Sequence, residues 1–130
     1  MVVHTLTQPQ CRNILARTRF GRLACVSGDQ PYIVPVAIYL DPDGGFLYGF
    51  STLGQKIRWM RANPRVCVEV EEIVSRKTWT TVIVFGRYQE IPRSGPGAAK
   101  LSSGEEHGVP VLYRIRIGRM TGRRALRPEK

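Results

Sequence analysis

The sequence predicts a mainly β (α+β) fold: a small closed or split antiparallel barrel of six strands with short helices. Three observations carry that expectation. Apolar residues alternate with period two through most of the chain after Arg22. Ser27-Gly28-Asp29-Gln30-Pro31 and Asp41-Pro42-Asp43-Gly44-Gly45 are turn clusters, short enough that the runs they join must be antiparallel hairpins. One helical stretch, closed by Pro64, is inserted into the strand series.

Ahead of the strands, Thr7 is set to cap a helix. Gln10 three residues later completes a capping box, Pro9 falls in the first turn, and Leu6 and Cys11 hold the staple positions. Cys11, Ile14 and Leu15 form its apolar stripe, and it is expected to fade at Arg17–Thr18. Strands follow near Arg22–Val26, Tyr32–Leu40 and Phe46–Phe50. Pro35 has no N–H, so the second strand belongs at an edge or a bulge. Ladder groups about Val34-Pro35-Val36 are then free for a ligand. The inserted helix carries Ile57 and Met60 on one face and ends at Asn63-Pro64. Val66–Val70 resumes the barrel, with Val66, Val68 and Val70 on one side and Cys67, Glu69 and Glu71 on the other. A strand from Trp79 to Tyr88 and a last one over Val111–Ile117 complete the six. Arg93–Gly108, rich in Gly and Ser, reads as a loop. This divides the chain into a barrel domain over residues 1–119 and a basic tail over 120–130.

The 130 residues suit one domain, and no apolar run is long enough to cross a bilayer. The start MVVHTLTQPQ has no basic region leading into an apolar one, and Cys11, Cys25 and Cys67 are few, spaced and set among apolar residues. A cytoplasmic protein with buried thiols is the expectation. The net charge of +10 raises the question of nucleic acid, but +6 of it falls between Arg114 and Lys130, with no aromatic residues interleaved in the tail. A solvated basic tail accounts for it, and nucleic acid is not the expected partner.

Ser51-Thr52-Leu53-Gly54-Gln55-Lys56 sits where strand passes into helix. Free N–H groups at a helix start attract an anion, two hydroxyls can donate, Gly54 permits close approach and Lys56 adds a full charge. Thr52-x-x-Gln55 is equally a capping box. The residues by themselves leave both readings open.

QPYIVPVAIYL, GFLYGFSTLGQK, NPRVCVEVE, WTTVIVFGR and YRIRIGRMTGRRA occur in this order and at suitable distances. As a set, over about Leu15 to Arg124, they resemble the pyridoxamine 5′-phosphate oxidase-like family of flavin-binding split barrels. The resemblance implies a six-stranded split barrel, a homodimer, and FMN at the subunit interface. It implies that the stretch Val34, Pro35, Val36, Ala37 to Tyr39 lies along the flavin ring. Phe50 and Ser51 would touch the cofactor near its phosphate, with Lys56 gripping it. The usual basic pair is Gln55-Lys56 here, so either Arg58 supplies the missing charge or the phosphate is held more weakly. Thr81 would offer a polar contact to the flavin, flanked by Trp79 and Thr80; by themselves Thr80 and Thr81 read equally as β-formers and Trp79 as core.

A flavin carries the redox chemistry itself, so a flavin-dependent oxidoreductase acting on a small substrate needs no triad. None is evident: there is no G-x-S-x-G elbow, and no Cys or His pair has metal-ligand spacing. The longer pyridoxamine phosphate oxidases hold their substrate with a basic C-terminal segment that has no match here, so vitamin B6 oxidation is not expected. A deazaflavin-dependent reductase, or a non-enzymatic flavin or haem carrier, are the alternatives. For haem, His4 and His107 make poor axial ligands.

Overall fold

The computed structural model describes residues 1–92 and 110–128, so the expected loop Arg93–Gly108, with His107, lies outside them. In chain order the elements are β1 (Val2–Thr5), α1 (Gln8–Arg17), β2 (Phe20–Ser27), β3 (Gln30–Ala37), β4 (Tyr39–Leu40), β5 (Phe46–Thr52), α2 (Gln55–Ala62), β6 (Arg65–Ile73), β7 (Thr78–Glu90) and β8 (Pro110–Leu126). All strand pairs are antiparallel, and the sheet runs β3-β2-β6-β7-β8-β5-β4, with β1 added on β8.

Only Ile38 separates β3 from β4, yet β3 pairs with β2 and β4 with β5. The two ends of the sheet are therefore successive pieces of one stretch of chain. The sheet curls until they meet at Ile38, whose side chain is buried. This is a split barrel. The expected strand Tyr32–Leu40 changes partner at its middle, and the six expected strands become seven by that division and eight with β1.

The local signals explain most elements. Thr7 caps α1: its hydroxyl accepts from the Gln10 N–H at 3.3 Å, and the Gln10 side-chain oxygen accepts from the Thr7 N–H at 2.8 Å. Cys11, Ile14 and Leu15 then turn inward, and α1 lies against β8. Pro35 sits on β3, the end member of the sheet order, where a missing donor breaks no ladder on the open side. The alternation of β6 holds, with Val66, Val68 and Val70 in the core. Ile57 and Met60 of α2 close one end of that core and have no exposed surface.

Two boundaries differ from the sequence expectation. β1 falls in a segment too short to show a period, and it places His4 in a strand opposite Arg124. The last strand does not stop at Ile117. It continues to Leu126, paired with β7 on one side and β1 on the other, so residues 120–126 are barrel wall rather than tail. Arginines at positions 119, 123 and 124 disguise it, because a strand needs only backbone pairing and one buried face. Met120 and Gly122 supply that face, while Ala125 is buried on the other side of the strand, between Val3 and Trp79. A bulge breaks the register within this pair: Phe85 opposes Arg119 but Gly86 opposes Ile117, leaving Gly118 as the extra residue on β8.

Candidate functional site

β5 delivers the chain to α2 through Leu53 and Gly54. Gly54 is the N-cap in an extended conformation, and among the described residues no side chain bonds the helix start. The capping box Thr52-x-x-Gln55 is therefore not formed. The first turn of α2 contains no acidic residue and carries Lys56, with Arg58 one turn along and exposed. Uncapped N–H groups beside a cation make a place where an anion is favoured. Thr52 is exposed at the same turn, while the Ser51 hydroxyl donates to the Thr52 carbonyl at 3.0 Å. Lys56 also reaches toward β2: burial pushes the Cys25 thiol up, and the Lys56 charge partly opposes that shift.

Immediately before this turn lies an apolar pocket of about 320 Å³. Ala37, Tyr39, Tyr48 and Phe50 line it with Ile91 and Leu112. Strand parity explains the grouping. Pro35, Ala37 and Tyr39 point outward, Phe50 is 65% exposed, and Leu112 is its direct partner on β8. Val36, by the same parity, is a core side chain, and Val34 packs against the core half-buried. Those two can meet a ligand only through their backbone.

Beneath the pocket, Gly49 leaves room for the Tyr113 ring; a Cβ there would stand 2.6 Å from it. Among the described residues the buried Tyr113 hydroxyl has no partner, and burial pushes its phenol up to about 12. Tyr88 packs 5.5 Å from the Tyr113 ring and donates to Glu90 at 2.8 Å. Arg61 also bonds Glu90 and holds that carboxylate below its ordinary range.

The remaining sequence candidates are elsewhere. Thr80 faces the core and accepts from Arg124 at 3.3 Å. Trp79 and Thr81 line a different groove with Val3, Ile83 and Arg123. Thr81 is nine residues along β7 from Glu90, about 30 Å at strand rise. One chain thus gathers Ala37, Tyr39 and Phe50, with Ser51, Thr52, Lys56 and Arg58 at the adjoining turn, but not Trp79 or Thr81. Ile91 and Leu112 are pocket residues that sequence reasoning missed. Leu112 had a signal: it is the apolar residue in an outward register otherwise filled by Arg114 and Arg116. Among the described residues no group of three or more His, Cys, Asp or Glu side chains is placed to hold a metal ion, and no helix is long and apolar enough to cross a membrane.

Residues 7–124 match a family model described as pyridoxamine 5′-phosphate oxidase. A curated protein of Rhizobium meliloti (strain 1021), described as uncharacterized, is 45% identical over 92 residues. That match takes in 71% of this chain, and it spans only 60% of that protein's length. Among solved structures, a FAD-binding protein from Mesorhizobium loti is 38% identical, with a TM-score of 0.81 over 96% of this chain and 99% of its own. The FAD-binding protein of Mycobacterium smegmatis is 20% identical, with a TM-score of 0.71 over 97% of this chain and 99% of its own, a likeness of fold.

Proposed function

The chain belongs to the pyridoxamine 5′-phosphate oxidase family, and from that membership we propose that it is an FMN-binding oxidoreductase acting on a small molecule. The observation that carries the reading is the adjacency of an aromatic-lined pocket to an uncapped helix start bearing Lys56. A flavin has the matching shape: a flat ring joined through a short chain to an anion. Its Mesorhizobium loti relative is described as FAD-binding, which supports a flavin and makes FAD the second reading.

When bound, the flavin supplies the two-electron chemistry. The chain's own residues then bind and orient. Lys56 and the first N–H groups of α2 hold the phosphate, Thr52 donates to it, and Arg58 adds long-range attraction. Tyr39, Tyr48 and Phe50 cover the ring and exclude water, while the backbone of Val34-Pro35-Val36 on the open side of β3 meets its polar rim. Trp79 and Thr81 reach the same ligand only from a second copy, which is the reason for proposing a homodimer with the cofactor between subunits. Phe20, Ile33, Tyr39, Phe50 and Leu112 are large apolar residues left exposed in the single chain, and such a surface calls for a cover.

An absorbance spectrum of the purified protein, followed by chromatography of whatever denaturation releases, tests this reading. FMN in the released fraction is the expected result. FAD would move the reading to its second form; a deazaflavin would make the chain a reductase of the same fold. Haem, or a protein that neither carries nor takes up flavin, would end it.

A further inference from the structure

A groove of about 720 Å³ lies on the outer face of the sheet, where β2, β6, β7 and β8 run side by side. Its floor is a rung of directly paired residues, Ala24 opposite Cys67 and Cys67 opposite Phe85. The next rung is Arg65 opposite Arg87, and Arg87 opposite Arg116. Arg119, the partner of Phe85 on β8, holds its guanidinium 4.3 Å from that ring. The bulge at Gly118 lies where the two rungs meet and opens the groove, with the Gly86 backbone alongside.

Four exposed arginines thus share one wall, and among the described residues no carboxylate lines it. Among the described residues the ion pairs are Arg17–Glu72, Arg22 with Glu69 and Glu71, and Arg61–Glu90, none of them in this groove. Like charges directly opposite one another on a ladder destabilise it. Here three stand in line across strands about 4.8 Å apart, and nothing in the described chain offsets them. A polyanion would reverse the sign. Guanidinium groups grip phosphate oxygens in pairs, and the apolar rung alongside suits a flat ring with Arg119 already stacked at its edge.

We propose that this groove binds a diphosphate ester carrying a planar apolar body, the chemistry of a nucleoside diphosphate. Its phosphates lie across Arg65, Arg87 and Arg116, and its ring rests over Cys67 and Phe85. The site is separate from the turn at Lys56 and does not depend on the flavin reading. The arginines form one short rung rather than a long stripe, which favours a small ligand over a nucleic-acid backbone.

The test uses the full chain, titrated by calorimetry and thermal melting with pyrophosphate, orthophosphate, ADP and a single-stranded oligonucleotide. Wild type should bind pyrophosphate and ADP more tightly than orthophosphate, and Lys56→Ala should keep that order. Arg87→Gln should bind pyrophosphate at least about ten-fold more weakly and, without ligand, melt higher than wild type because the like-charge row is broken. Arg116→Gln is the second variant should Arg87→Gln not fold, with the same ten-fold loss expected. Unchanged pyrophosphate affinity in the arginine variants, loss confined to Lys56→Ala, a lower melting point for unliganded Arg87→Gln, or binding of the oligonucleotide without ADP would each overturn the proposal. Flavin absorbance, read in the same samples, reports the other site separately.

Discussion

Among the described residues the buried Tyr113 hydroxyl has no hydrogen-bond partner, and leaving such a donor unmade costs about 1–3 kcal/mol. Tyr113→Phe is therefore expected to raise stability by about 1 kcal/mol, measured by urea denaturation at neutral pH. Burial also sets the sign of a pH effect. The folded phenol titrates at about 12 against an ordinary value of 10.0. Its neutral form therefore contributes stability fully below pH 10, and that contribution is lost as pH rises through about 12. Wild type should lose more stability than Tyr113→Phe over that window; parallel losses would show that the phenol is not desolvated. Single residues were legible in the sequence where their partners are close along the chain, as with Thr7 and Gln10. They were not where the partner comes from a distant strand. Val36 and Thr80 show a further limit: in a strand every second side chain faces the core, so a run matched whole to a ligand includes residues that cannot touch it.

Among the elements, α1 and the end of β8 are mutually dependent. Leu6 bonds the Gly122 carbonyl at 2.9 Å, and a Cβ on Gly122 would stand 2.6 Å from the Cys11 sulfur. Thr7→Ala should cost about 1 kcal/mol by removing the cap, seen as a lower midpoint in thermal melting. Removing the residues after Arg119 should do far more, since it strips half of β8 from both β1 and β7 and exposes the face holding Met120. Loss of cooperative unfolding in circular dichroism is the expected outcome, and a native-like melt would show that this half-strand is dispensable. The sequence made α1, β2, β6 and α2 readable because their apolar periods are clean. It hid β1 and the second half of β8, the first by brevity and the second under arginines. The start of α2 misled in the other direction: Thr52 and Gln55 have the spacing of a cap, but Gly54 begins the helix one residue before Gln55, and Thr52 lies outside it.

At the scale of the molecule, the split barrel leaves its sequence-matched contacts in two places, one at the β5–α2 turn and one at Trp79–Thr81. A second copy would unite them. Phe50→Arg should accordingly shift the protein to the mass of a monomer in light scattering and weaken flavin retention together; a dimer of unchanged mass would separate the exposed apolar surface from assembly. The order of the strands was partly legible, because hairpin turns fix neighbours. The change of partner at Ile38 was not, since nothing within Tyr32–Leu40 marks where one pairing ends and the next begins. On the proposed reading, the anion of a flavin rests on Lys56 at the start of α2. Titrating FMN into wild type and Lys56→Ala, and following the quenching of flavin fluorescence, tests it most directly. Saturable binding by wild type, weakened at least about ten-fold in a folded Lys56→Ala, is the result this account requires; equal binding by both proteins, or by neither, would contradict it.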